Sequence, residues 1–82
     1  MDPIALKEIV FALAKSRGPQ KSICPSEAAR AAQPHDWRPL MPAVKEAAAA
    51  LAEEGKIEVL QRGARVKLQD AIGPVRLRYR GG

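Results

Sequence analysis

A change of hydrophobic period at Gly55 restricts the fold of this chain more than any other feature of its sequence. Before Gly55, apolar residues recur every three or four positions, which is typical of amphipathic helices. After it, apolar and polar residues alternate in KIEVLQRGARVKL and again in VRLRYR, which is typical of half-buried strands. Since 82 residues suffice for one hydrophobic core, we expect a single α+β domain, mostly α, over residues 1–82.

Local start and stop signals predict three helices in the first part of the chain. Asp2 can cap the free amides of a helix that begins with Pro3. Pro42 is tolerated only inside a first turn, so the third helix should begin near residue 39, and Gly55 is placed to end it. The expected helices span about residues 3–16, 25–32 and 39–54.

Two alternating segments follow the helices. A hairpin is expected over about residues 56–68, with Arg62 and Gly63 at its turn. The remaining segment, about residues 73–82, is expected to be a basic extended tail. The predicted order is therefore helix, helix, helix, hairpin and tail.

The ending VRLRYRGG has three candidate explanations: a conjugation tail of the ubiquitin type, a basic arm for a polyanion, or an edge strand with one buried face. A conjugation tail of that type follows a β-grasp body that begins with a hairpin, whereas this chain begins with a capped helix. Because the segment alternates, Val75, Leu77 and Tyr79 lie on one face of an extended chain, and we expect this face to be buried. Ile4 and Phe11, on a second apolar strip of the first helix, are the available partners, and the arginines of the tail would face outward.

Charge is distributed unevenly along the chain, which has a formal net charge of +5. Residues 1–55 contain seven Lys or Arg and seven Asp or Glu, which cancel. Residues 56–82 contain seven Lys or Arg against Glu58 and Asp70, so the net positive charge belongs to the last third. Such asymmetry is typical of a surface that meets a polyanion.

Composition argues against several classes of protein and site. Cys24 is the only cysteine and His35 the only histidine, so we expect no internal disulfide, no metal site and no cofactor. Eleven residues separate these two side chains, so a catalytic pair is a remote alternative, and we expect neither an enzyme nor a small-molecule substrate. Lys7 and Glu8 interrupt the first apolar segment, and no uncharged apolar run is long enough to span a membrane. We expect a soluble, cytoplasmic protein without a membrane partner.

Two short helices joined by a tight turn and followed by a hairpin are the arrangement of the winged helix-turn-helix. Three segments, ICPSEAAR, WRPLMPAVKEAAAALAEEGKIEVLQRG and GPVRLRYR, resemble a small bacterial winged-helix family catalogued as a domain of unknown function, DUF3253. The resemblance covers residues 4–80. It implies the winged-helix fold and suggests DNA binding, and it implies no activity, ligand or mechanism.

The winged-helix interpretation predicts which cations contact duplex DNA. In such domains the third helix enters the major groove, and the hairpin, or wing, reaches phosphates or the minor groove. Glu46 and Glu53 on the third helix argue against docking along its whole length. The predicted nucleic-acid-binding residues are Arg38, Lys45, Arg62, Arg65, Lys67, Arg76, Arg78 and Arg80.

Alternatives to DNA binding remain open at the level of sequence. The cations can be read as solvated residues, or as edge-strand charges that deter aggregation. The domain can also be read as a protein-interaction or assembly module, in which Ile4 and Phe11 pair across the two-fold axis of a homodimer. Duplex DNA, bound without strong sequence preference, is the leading expectation.

Overall fold

A computed structural model describes residues 2–80, which form three helices followed by a small antiparallel sheet. The helices are α1 (Pro3–Arg17), α2 (Pro25–Ala32) and α3 (Met41–Glu53), and the strands are β1 (Ile57–Gln61), β2 (Ala64–Arg65) and β3 (Arg76–Tyr79). Short 3₁₀ turns lie at Arg38–Leu40 and Leu68–Asp70. This arrangement confirms the expected α+β, mostly helical, winged-helix type of fold.

The helices begin where the sequence has capping groups. The Asp2 carboxylate accepts a hydrogen bond from the Ile4 amide at 3.0 Å at the start of α1. At the start of α2, the Glu27 carboxylate accepts from the Cys24 amide at 2.7 Å and from the Arg17 guanidinium at 2.6 Å. The Cys24 amide is the largest cause of the lowered pKa of Glu27.

The expected hairpin is present, with its turn at Arg62 and Gly63, but its second strand, Ala64–Arg65, is shorter than the expected span of residues 56–68 allows. The sheet order is β2-β1-β3, and β1 pairs with β3 over four residues but with β2 over two. The chain leaves the sheet after Val66 and enters the 3₁₀ turn Leu68–Asp70, which packs on α3. The principal hairpin is therefore β1–β3, and we call its long connection, residues 62–75, the wing.

The predicted basic tail is an integral strand of the sheet and also packs on α1. Leu77 is fully buried and exchanges two backbone hydrogen bonds with Ile23, both of 2.8 Å. Strand β3 therefore lies between β1 and the α1–α2 connection. Tyr79 packs edge-on against Phe11 with ring centroids 5.7 Å apart, while Ile4 remains 68% exposed.

Arg76 and Arg78 of β3 alternate with the buried Val75 and Leu77, so their side chains face outward, as expected. Gly81 and Gly82, on which the comparison with conjugation tails depends, lie outside the described residues. None of the helices within residues 2–80 is long and apolar enough to cross a membrane.

Small alanine side chains allow the three helices to pack closely against one another. Ala28 and Ala29 of α2 and Ala48 of α3 are fully buried, and the three helices contact one another pairwise. The larger core side chains come from every layer and include Leu6, Val10, Ile23, Val44, Leu51, Ile57 and Leu77. This core holds α3 and the sheet in a fixed relation, which positions the cations described next.

Candidate nucleic-acid interface

Arg62 lies at the tip of the β1–β2 ribbon. Arg62 and Gly63 connect the paired residues Gln61 and Ala64, and both have positive φ, 54° and 83°. A two-residue turn with two left-handed residues is the type that matches the twist of antiparallel strands. Gly63 adopts this conformation at little cost, whereas Arg62 is strained by about 1 kcal/mol. The exposed tip is therefore occupied by a cation in an unfavourable backbone conformation.

Two arginines flank one apolar residue on the outer face of the sheet, which is turned away from the helices. Leu60 has Arg65 of β2 and Arg76 of β3 as its cross-strand partners. Partners in antiparallel strands project to the same face, so the two side chains lie on either side of Leu60. Leu60 is only 9% exposed, as expected if the aliphatic parts of the arginines cover it while their charged ends reach solvent.

Glu58 is the counter-ion on this face. Its carboxylate accepts hydrogen bonds from Arg78 Nε at 3.1 Å and Arg78 Nη2 at 2.5 Å, and it lies 3.8 Å from Arg65 Nη1. The hydrogen bonds from Arg78 are the main reason that the pKa of Glu58 lies below its ordinary value, and the charge of Arg65 contributes in the same direction. One carboxylate is thus shared between two arginines, and the face retains a positive charge.

Arg76 is held by neutral acceptors. Its Nε donates to Ser22 Oγ at 3.0 Å and its Nη2 donates to the Ser22 carbonyl at 2.9 Å. These bonds orient the guanidinium without cancelling its charge. Sequence reasoning missed Ser22, because the two residues are 54 positions apart and meet only through the bridge between Ile23 and Leu77.

A groove of about 390 Å³ lies between the C-terminal half of α3, β1 and the wing. We call it the wing groove. Its apolar lining comprises Ala49, Ala52, Ile57, Val59, Val66 and Leu68. Three cations also line it, Arg65, Lys67 and Arg80, together with the carboxylates of Glu53 and Glu58. The structure therefore brings Arg80, which directly follows β3, to the same groove as two cations of the wing.

The outer face of α3 carries both signs of charge. Lys45 is exposed, and so are Glu46 and Glu53. The two glutamates are seven residues apart, which places them on one side of the helix. A polyanion that lay along the whole of α3 would meet both carboxylates, so the helix is suited to contact near its N-terminal half.

Trp37, at the turn before α3, is contacted by two guanidinium groups. The Arg30 Cζ atom lies 4.6 Å from the ring centroid, and the Arg38 Cζ atom lies 4.9 Å from it. Trp37 is half-buried and packs against the core. Arg30 was not among the predicted residues, since nothing in its local sequence indicates that α2 places it beside Trp37.

The two residues considered for catalysis lie at opposite ends of α2. Cys24 is the N-cap residue and its sulfur accepts a hydrogen bond from Ser26 Oγ at 3.1 Å. His35 is exposed and follows the C-cap residue Gln33. The eight residues of α2 extend about 12 Å, so the helix separates the thiol from the imidazole.

The eight predicted cations fall into two groups. Six come from the wing and residues 76–80: Arg65, Lys67 and Arg80 line the wing groove, Arg78 pairs with Glu58, Arg76 is bonded to Ser22, and Arg62 lies at the ribbon tip. The other two lie near the start of α3, Lys45 on the helix and Arg38 in the 3₁₀ turn before it. Arg65 and Arg78 have a carboxylate within 4.0 Å; within residues 2–80 the other six have none. The cations are therefore charged groups that are largely available to an anion.

Comparison with known proteins gives a family but no activity. No curated protein matches the chain. A family model described as "Protein of unknown function (DUF3253)" matches residues 3–80, which is nearly all of the chain and agrees with the resemblance seen in its sequence. Because this match covers both the helices and the sheet, the chain belongs to the DUF3253 family.

Proposed function

We propose that the domain is a non-enzymatic module that binds duplex DNA through its wing and the outer face of its sheet. The proposal rests on the uncompensated positive charge of these elements. Glu58 is shared by two arginines. Within residues 2–80, Arg62, Lys67 and Arg76 have no carboxylate within 4.0 Å. Like charges on one face of a sheet, such as Arg65 and Arg76 on either side of Leu60, repel each other unless an anion binds beside them. The phosphates of a duplex provide such anions in a regular array.

Contacts of this kind position a duplex without reading its bases. Arg62 at the ribbon tip is suited to a phosphate or the minor groove, and Arg76 offers the N–H groups that Ser22 does not occupy. Glu46 and Glu53 on α3 oppose close approach of the major-groove edge along the whole helix. We therefore expect binding with weak sequence preference.

The test is the salt dependence of binding to a fluorescently labelled random-sequence duplex, followed by anisotropy. If five to seven phosphates are neutralised, the logarithm of the association constant falls with the logarithm of salt concentration with a slope of about −5. Binding that is insensitive to salt, or no binding at low ionic strength, would overturn the proposal.

A pair of matched variants locates the contact. Arg62→Gln with Lys67→Gln removes two exposed wing cations, and Lys15→Gln with Lys21→Gln removes two exposed cations of α1 and the loop that follows it. None of the four has a carboxylate within 4.0 Å in the described part of the chain. We expect the wing variant to make the salt slope less steep by about 2, and the variant without Lys15 and Lys21 to keep the wild-type slope. Equal effects would contradict a contact at the wing.

A second candidate function is protein–protein interaction, and one observation favours it. Ile4 is 68% exposed beside Phe11 and Leu51, in a groove of about 210 Å³ that Lys7 and Lys56 also line. Exposed apolar surface framed by charged residues is typical of interaction sites. A wild-type dimer in sedimentation equilibrium that Ile4→Glu converts to a monomer, together with no DNA binding, would favour this function over the first.

A further inference from the structure

Two exposed guanidinium groups are held against one half-buried indole. Arg30 comes from α2 and Arg38 from the 3₁₀ turn before α3, and both contact the ring of Trp37, at 4.6 and 4.9 Å. Within residues 2–80 neither arginine has a carboxylate within 4.0 Å. Two positive charges are thus concentrated at one place without a counter-ion in this part of the chain.

Stacking on an aromatic ring prepares a guanidinium for phosphate. The ring contacts the flat face of the group, whereas its N–H donors lie in the plane and remain free for bidentate hydrogen bonds. Because the ring holds each side chain in place, less conformational entropy is lost when an anion binds. Trp37 is itself packed on the core, so the platform is rigid.

The spacing of the two groups suits a nucleic-acid strand. Since the two Cζ atoms lie 4.6 and 4.9 Å from one centroid, they are at most the sum of these distances, 9.5 Å, apart. Successive nucleotides of one strand rise by about 3.4 Å along the duplex, so this distance lies within two to three nucleotides. Both guanidiniums are therefore close enough together to contact phosphates of the same strand.

The stack also lies at one end of a continuous strip of α3. Lys45, Ala49 and Ala52 are separated by four and three positions, which places them on one side of α3, and Arg38 lies in the 3₁₀ turn just before the helix. Ala49 and Ala52 line the wing groove, and Arg38 belongs to the stack. From Lys45 to Ala52 the strip is about 10 Å long at 1.5 Å per residue, which corresponds to about three base pairs.

We infer that Arg30, Trp37 and Arg38 form a second phosphodiester-binding site, which holds phosphates of one DNA strand at the end of α3 opposite the wing groove. This inference rests on the proposed function. It adds Arg30 to the interface and gives Trp37 the role of a positioning residue that holds both guanidiniums.

The experiment uses Trp37 as its own probe, because it is the single tryptophan of the chain. Titration of the full chain with an unlabelled random-sequence duplex should change the tryptophan emission, with the same midpoint as binding followed by anisotropy. Arg30→Gln with Arg38→Gln should remove the emission change and reduce the salt slope by about 2. Arg30→Lys with Arg38→Lys keeps the charge but loses stacking and bidentate bonding, so the slope should stay near that of wild type while affinity falls about threefold or more.

The outcomes separate the second site from the proposed function. If wild type binds the duplex with a steep salt dependence, but its emission does not change and the glutamine variant keeps the wild-type slope, the second site is overturned and the wing contact stands. If wild type does not bind the duplex, both fail. Lys15→Gln with Lys21→Gln is the control for loss of two charges, because within residues 2–80 the cations that contact the Trp37 ring are Arg30 and Arg38. Should the glutamine variant unfold, the lysine variant and the wild-type emission decide.

Discussion

Arg62 has a backbone conformation that arginine rarely adopts. Its φ of 54° is in the left-handed region, where Asn and Gly are favoured at the first position of this turn. A residue that fits the turn poorly therefore occupies the exposed tip of the ribbon. Strain of this kind is expected where a side chain serves binding rather than folding.

Replacement of Arg62 should separate stability from binding. Arg62→Asn relieves the strained φ, so we expect the free energy of unfolding to increase by about 0.5–1 kcal/mol, measured by urea denaturation. The same change removes one cation, so the salt slope of DNA binding should fall by about 1. Lys67→Asn is the control, because Lys67 has φ of −82° and loses its charge without relief of strain. A less stable Arg62→Asn protein would contradict the strain argument.

At the scale of secondary structure, β3 connects parts of the chain that are distant in sequence. It pairs with β1 on one side and with Ile23 on the other, and Leu77 is buried at the centre of this arrangement. The wing, in contrast, carries Ile72, which is 92% exposed. Two apolar residues five positions apart therefore contribute very differently to the fold.

Truncation of these two residues provides a matched test of the strand. Leu77→Ala leaves a cavity among packed side chains and should lower the free energy of unfolding by about 2–5 kcal/mol. Ile72→Ala removes an exposed side chain and should change it by less than about 0.5 kcal/mol. Urea denaturation of both variants measures the difference. Similar values would mean that β3 is not part of the cooperative core.

At the scale of the whole fold, three carboxyl groups within residues 2–80 have lowered pKa values for different reasons. The pKa of Glu27 is lowered chiefly by the Cys24 amide, that of Glu54 by a hydrogen bond from Lys7, and that of Glu58 by hydrogen bonds from Arg78. Each contact joins elements that are separate in the sequence or caps a helix. Protonation of these groups therefore acts on the whole fold.

The sign of the resulting pH dependence follows from these directions. Each folded-state pKa lies below the ordinary value of 4.5, so the unfolded chain binds protons first as the pH falls. The stability that these groups provide is fully present above about pH 5 and is lost as the pH falls through the folded-state values. We expect the urea midpoint to be lower at pH 3 than at pH 7, and Glu27→Gln to reduce this difference. A midpoint that is constant or rises toward pH 3 would contradict the assignment.

The sequence indicated the helices well, because the signals that begin and end a helix are local. Asp2, Pro42 and Gly55 each act within one turn, so the bounds of α1 and α3 differ from those expected by one or two residues. The hairpin was partly wrong because strand pairing depends on distant residues. Both segments after Gln61 alternate in polarity, and only the core could decide that β1 pairs mainly with β3.

For the candidate interface, the sequence by itself determined where the positive charge lies along the chain, because charge is a property of each residue. Only the tertiary structure decided which cations keep that charge available. Glu58, Ser22 and Trp37 each hold an arginine from another element, and such contacts depend on the packing of α2, β1 and β3. A contact that forms only on folding cannot be recognised in the local sequence, because the sequence pattern indicates period and composition but not distance in space.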